Sequence, residues 1–177
     1  KQVKSLAHLT DIYFKSVGYN SVLLLNIPPD TRGLINDSDV QRLKEFASYI
    51  HKAFDTNYLQ NGNDAWRAAS GDIKEYKVEK DALVNTFLIQ EDISKGQRVE
   101  SFQVEAFVNG EWIQIAVGTT IGYKRLIRFS DIKIEKIRVT IRSARGTANI
   151  MKTGLFYADT FKDKDVEVPL SDVPVDK

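Results

Sequence analysis

Val22-Leu23-Leu24-Leu25 is the longest unbroken apolar run in the chain, and it limits the possible folds more than any other feature. The run has no polar alternation and ends at Asn26, ahead of Ile27-Pro28-Pro29-Asp30, where two prolines remove backbone donors. It reads as a strand buried on both faces, the pattern of a parallel sheet covered by helices. Helical periods flank it. Upstream, Val3, Leu6, Leu9, Tyr13 and Val17 recur every three to four positions with Gly18 as a C-cap, so a helix is expected over Val3–Val17. Downstream, Asn36-Asp37-Ser38-Asp39 offers N-cap side chains. Val40, Leu43, Phe46, Ala47, Ile50 and Phe54 then keep helical spacing, which predicts a second helix running to about Phe54. A parallel strand needs neighbours on both edges, and no strand candidate precedes this one. Residues 1 to about 55 therefore read as the end of a larger domain.

Beyond Tyr58 the period changes to two, with strands expected at Lys74–Val78, Val84–Gln90 and Val99–Val108. Asn109-Gly110 then separates Glu105-Ala106-Phe107-Val108 from Glu111-Trp112-Ile113-Gln114-Ile115, the strongest hairpin signal present, because both turn residues tolerate positive φ. Further strands are expected at Tyr123–Phe129, Lys136–Arg142 and Ala148–Tyr157. About seven short strands in roughly 95 residues suit a sandwich or jelly roll. The stretch 159–177 is mixed in charge and holds two of the four prolines, so it reads as a tail laid on the surface or frayed.

Composition narrows the function classes. The chain has 177 residues, and its 25 Lys and Arg against 24 Asp and Glu leave a net charge of +1, so no global field draws in nucleic acid or an anionic membrane. There is no cysteine, which excludes disulfides, thiolate metal sites and a cysteine nucleophile. No apolar run approaches the roughly 20 residues of a membrane-spanning helix. Lys1-Gln2-Val3-Lys4-Ser5 leads into no signal-peptide core, so the segment reads as soluble and mature.

The string Tyr13-Phe14-Lys15-Ser16-Val17-Gly18-Tyr19-Asn20-Ser21 through Leu25-Asn26-Ile27-Pro28-Pro29-Asp30, followed by Gly33-Leu34-Ile35 and Arg42-Leu43-Lys44-Glu45-Phe46, resembles the last strand–helix unit of the barrel in glycoside hydrolase family 29, the α-L-fucosidases. Gln90-Glu91-Asp92-Ile93, Gly96-Gln97-Arg98-Val99, Phe102–Ala106 and Gly118–Arg125 resemble the discoidin-like (coagulation factor 5/8 type C) sandwich appended to it. The resemblance implies the end of a (β/α)8 barrel over 1–57, with Val22–Asn26 as its eighth strand, and a discoidin-like jelly roll over 58–158. It also implies a retaining hydrolase of α-L-fucosides, with an Asp nucleophile and a separate acid/base on upstream barrel segments. This chain contains neither position. A fucosylated glycan and an upstream barrel segment, on the same polypeptide or a companion chain, are the implied partners, no cofactor is implied, and members point to a secreted or periplasmic address.

A retaining glycosidase needs two carboxyl groups about 5 to 5.5 Å apart. Asp30, Asp37 and Asp39 follow the strand at what would be the catalytic face, but turn and N-cap roles account for them. Asn26 is the substrate-contact candidate, since it ends an apolar strand with an amide; bonding to nearby backbone is the structural alternative. Pro28-Pro29 shapes the loop. His8 and His51 lie on helices without catalytic or metal-ligand spacing. A loop calcium held by Asp92 and carbonyls would leave little sequence signal.

In the sandwich, Trp66-Arg67, Trp112 and Tyr123 are stacking candidates for a sugar ring, with Arg125, Arg128, Arg142 and Arg145 to bond hydroxyls. Trp66, Arg67, Tyr123 and Arg145 are the glycan candidates retained, because Trp112 alternates with Ile113 and Ile115 and suits core packing. Lys124-Arg125-Leu126-Ile127-Arg128 alternates faces on a strand, which argues against a nucleic-acid stripe. Gly118-Thr119-Thr120-Ile121-Gly122 lacks a phosphate-loop ending and reads as a sandwich loop. Two rivals stand beside the fucosidase reading. One is a free-standing carbohydrate- or protein-binding module in which the first 55 or so residues form a helical cap, and the other is a sandwich with no ligand.

Overall fold

The structure is a computed structural model that describes residues 3–161. Among these residues, eight antiparallel strands form two facing four-stranded sheets. They are β1 (Trp66–Ala68), β2 (Ile73–Lys77), β3 (Leu83–Glu91), β4 (Val99–Val108), β5 (Glu111–Gly118), β6 (Arg125–Lys133), β7 (Lys136–Ala144) and β8 (Ala148–Phe156). One sheet has the order β1-β8-β3-β6 and the other β2-β7-β4-β5. The expected sandwich is present, with one strand more than the sequence suggested. That strand is β1, paired with β8 through Trp66↔Ile150 and Ala68↔Ala148, so Trp66 lies on an edge strand and not in a loop. Three residues are too few to show a period, which is why it was illegible. At the other expected site, Tyr123 and Lys124 precede β6, and the strand runs on to Lys133.

The hairpin follows its turn chemistry. Asn109 and Gly110 both take positive φ, 51° and 88°, and set the register Val108↔Glu111 and Phe107↔Trp112. Residues on one strand alternate faces, so the inward Phe102, Val104 and Ala106 leave Phe107, and with it Trp112, on the outer surface. Trp112 is thus not a core residue. Its ring meets Phe107 edge-on at 5.3 Å, and the Arg138 guanidinium lies 4.4 Å from its centroid. The core between the sheets is built by Phe87, Ile89, Phe102, Val104, Ile137, Val139, Ile141, Ile150 and Leu155.

The β1-β8-β3-β6 sheet is buried on its second face as well. There Leu88, Leu126 and Phe156 meet Phe14, Tyr49 and Ala53 from helices α1 (Leu6–Ser16) and α2 (Asp37–Phe54). Ser5 and Asn36 cap the two helices, accepting from the N–H groups of His8 and Ser38. Helix α1 is shorter than expected because Ser5 stops it before Val3. The layers are therefore helix, sheet, sheet. After α2, Asn57 anchors the chain to β8: its Oδ1 accepts from Leu59 and Leu155 N–H, and its Nδ2 donates to Thr153 O. Asp159 begins the expected tail on α2, where its carbonyl accepts from the Tyr49 hydroxyl at 2.6 Å; the rest of that tail, from 162, lies outside the described residues.

The end of α1 is stitched to β6. The Leu126 N–H donates to Gly18 O at 2.9 Å, and Tyr19 bridges to Arg125, whose guanidinium sits 3.8 Å from the Tyr19 ring centroid. Asn20, at φ 66°, accepts from the Tyr123 N–H at 2.6 Å. Gly18 does not have positive φ; its lack of a side chain serves close packing, since a Cβ would collide with the Phe14 carbonyl and press on Leu126. On α1 itself, Asp11 pairs with Lys15 at 2.8 Å and with Arg128 of β6 at 3.5 Å.

One expectation fails. Residues 21–29 form no strand, and no backbone hydrogen bond joins 22–29 to other described residues. Val22 and Leu24 are 90% and 92% exposed. The physical reason is the one that made the run unusual: a strand needs ladder partners, and the described residues supply none.

Two outcomes test this layering. Leu88→Ala, which empties the helix-facing core, should lower unfolding free energy by about 2–5 kcal/mol in urea denaturation. Burial pushes the Tyr49 phenol up to about 12, above an unfolded value near 10. Its stabilisation is complete below about pH 10 and is lost as pH rises toward about 12. Denaturation midpoints measured from pH 9 to 12 should therefore fall, and Tyr49→Phe should make that fall shallower.

Candidate functional site

Most of the candidate residues fall in three places, and each is set by a different element. The first is the ribbon 21–30. With α1 and α2 it encloses a cavity of about 450 Å³ lined by Leu9, Ile12, Leu23, Leu25, Asn26 and Leu43 among others. Asn26 is exposed, lies at the polar end of this apolar wall, and makes no side-chain hydrogen bond among the described residues. The backbone-bonding alternative for it is thus not realised. Asp30 instead serves its turn: it accepts from Arg32 and Leu34 N–H and pairs with the Arg32 guanidinium at 2.6 Å, which holds its carboxyl below the usual range. Asp37 and Asp39 stand in the first turn of α2, where their charge suits the helix N-terminus; Asp37 is exposed, and Asp39 is half-buried on the wall of the cavity that Asn26 lines. The ribbon brings no two carboxylates together in a manner suited to glycoside hydrolysis.

The second is one end of the sandwich. Arg67, Asp92, Lys95, Arg98, Thr147 and Asn149 line a cavity of about 390 Å³. Arg145 lies beside it, its N–H donating to Arg98 O at 2.8 Å. Its guanidinium is already engaged by Glu100, whose carboxyl is held low by the Ser143 hydroxyl and by Arg145. Asp92 caps a single 3-10 turn at Ile93–Lys95, accepting from Ser94, and that bond keeps its carboxyl low. Glu91 is fully buried behind it and accepts from Arg98 N–H at 2.6 Å and Val99 N–H at 3.3 Å.

The four glycan candidates do not converge. Arg67 and Arg145 flank Arg98, Trp66 packs its ring against the core with the Lys74 ammonium 5.6 Å away, and Tyr123 is held at the β5–β6 connection by Asn20 and Gln90. Tyr123 alone among the aromatic pair is open, at 59% exposure. Arg98 and Asn149 were missed as lining residues. A charged residue at a strand start and an amide opposite Arg67 leave no local signal, and only the β1–β8 register joins them.

The third is the outer face of the β2-β7-β4-β5 sheet, where Trp112 and Phe107 carry Arg138 and Lys136. Arg138 also forks onto Glu105 through bonds of 2.7 and 2.9 Å, which holds that carboxyl low. Lys136 lies 4.6 Å from the Phe107 ring centroid. The face is thus covered by its own cations. Arg142 bonds Gln103 on the same face.

No protein-family model matches the chain. A curated relative, α-L-fucosidase 1 of Arabidopsis thaliana, is 32% identical over 89% of this chain, and the chain covers 37% of that protein. The chain spans little more than a third, 36% and 37%, of the curated relatives it matches. Among solved structures, a Bacteroides ovatus protein described as a candidate α-L-fucosidase is 47% identical, with TM-score 0.89, over 98% of this chain and 30% of its own. A glycoside hydrolase 29 family member from an unknown rumen bacterium is 36% identical, with TM-score 0.80, over 93% of this chain and 31% of its own. Sequence and fold agree that the chain is homologous to the α-L-fucosidases of glycoside hydrolase family 29, over about a third of their length.

Proposed function

We propose that this chain is the C-terminal portion of an α-L-fucosidase of family 29. Residues 1–57 supply the last strand–helix unit of a (β/α)8 barrel, and 58–158 form a discoidin-like sandwich that buttresses it. The nucleophile and acid/base come from a preceding barrel segment, on the same polypeptide or a companion chain, and the substrate is a fucosylated glycan.

The observation that carries this reading is the unpaired ribbon. Val22 and Leu24 are almost wholly exposed, the backbone of 22–29 has no ladder among the described residues, and the wall behind is apolar. Barrel strands on either side would satisfy those amides, and burying the two side chains would contribute about 1.5–3 kcal/mol each. The sandwich stitches at Gly18, Tyr19 and Asn20 hold the root of the ribbon. Asn26, at its far end, would then face the C-terminal mouth of the barrel, the side on which such folds bind substrate. A free-standing module would enclose Val22–Leu25 with its own residues, and the described residues half-cover Leu23 and Leu25 but leave Val22 and Leu24 in solvent.

The 177-residue chain alone should release no nitrophenol from an aryl α-L-fucoside, whereas the chain joined to a barrel segment from a relative should turn it over. Leu24→Asp in the joined protein should abolish turnover, because it places a charge where a strand face must be buried. Hydrolysis by the isolated chain would overturn the assignment.

A further inference from the structure

At the edge of the helix–sheet interface, β8, β3 and the residue leading into β6 line up polar side chains on the face otherwise packed against the helices. Lys152 of β8 is the cross-strand partner of Gln90 on β3. Lys124 precedes Arg125, whose partner is Ile89, so the antiparallel register carries Lys124 to the other side of Gln90. All three line one cavity of about 380 Å³, with His51 and Asp55 from the end of α2 on its rim. Its apolar floor is Tyr13, Phe54, Leu88, Leu126 and Phe156.

Neither lysine forms an ion pair with a described carboxylate, Asp55 included. Burial, and then the Lys152 charge, lower the Lys124 pKa, so the pair is held without the anion that would relieve it. Gln90 donates through Nε2 to Tyr123 O at 3.1 Å, which leaves its Oε1 available as an acceptor on the cavity wall. Strands are about 4.8 Å apart, so the two lysine backbones stand about 10 Å from each other, and their stems can converge on one group.

We propose that Lys124, Gln90 and Lys152 form a binding site for an acidic sugar, its carboxylate or sulfate held by the two ammonium groups and a hydroxyl by Gln90 Oε1. The volume is in the range of small-ligand pockets and exceeds what a bare oxyanion fills, which favours a sugar over a free anion. The site uses only this chain's residues and does not depend on the barrel assignment.

Titrating the full chain with glucuronate, glucose and inorganic sulfate at constant ionic strength, followed by amide NMR, tests it. Glucuronate should shift the amides of Gln90, Lys124 and Lys152 saturably, and glucose should not. Lys124→Gln and Lys152→Gln, each checked for an unchanged fold by its spectrum, should each weaken binding about ten- to hundredfold, while Lys44→Gln on the exposed face of α2 leaves it unchanged. Equal binding by the lysine variants and the parent chain would overturn the site. Saturation by sulfate with no response to glucuronate would overturn its assignment to a sugar, leaving an adventitious ion only.

Discussion

The structure depends on one sheet being buried from both sides. On β3, Phe87 and Ile89 point into the sandwich while Leu88 between them points at the helices, and Leu155 and Phe156 divide the same way on β8. Alternation makes this unavoidable: a strand with apolar residues at successive positions must find cover on each face. Helices α1 and α2 are that cover, so their position follows from the sandwich and not from contacts between the helices alone. Phe54 against Phe156 at 5.2 Å, and Phe14 under the Arg128 guanidinium, show the two layers sharing rings and charges as one packed unit.

From that layer the geometry of the ribbon follows. Because β6 holds Gly18 and Tyr19, and Tyr123 just ahead of it holds Asn20, the chain leaves α1 at a fixed point before its oily run begins. Asn20 takes a left-handed conformation that its short amide tolerates, and the same amide oxygen accepts the Tyr123 N–H. One residue thus turns the chain and ties it to the sandwich.

Local chemistry made the hairpin, the second helix and most strands legible, because each rests on residues adjacent in sequence. Asn109-Gly110 needs only its own φ preferences, and α2 only its period and the Asn36 cap. The sites were less legible because they rest on register. The side of the sheet that Trp112 occupies depends on which residue its turn sets opposite it, and Arg67 meets Asn149 only through β1, a strand too short to carry a period. The row Lys124–Gln90–Lys152 likewise joins β3, β8 and the lead into β6, which are distant along the chain, so no spacing announces it.

The apolar run at Val22–Leu25 marks the limit of the same logic. Its composition states a requirement, burial on two faces with a ladder on two edges, and composition is local. Whether the requirement is met depends on neighbours, which are not. An extended segment with unsatisfied amides and two solvated leucine-type side chains is therefore a poor element in isolation and a good one between strands. The sandwich resolves half of this by anchoring the run's start, so that pairing would add order to a segment already aimed, with less conformational entropy left to lose.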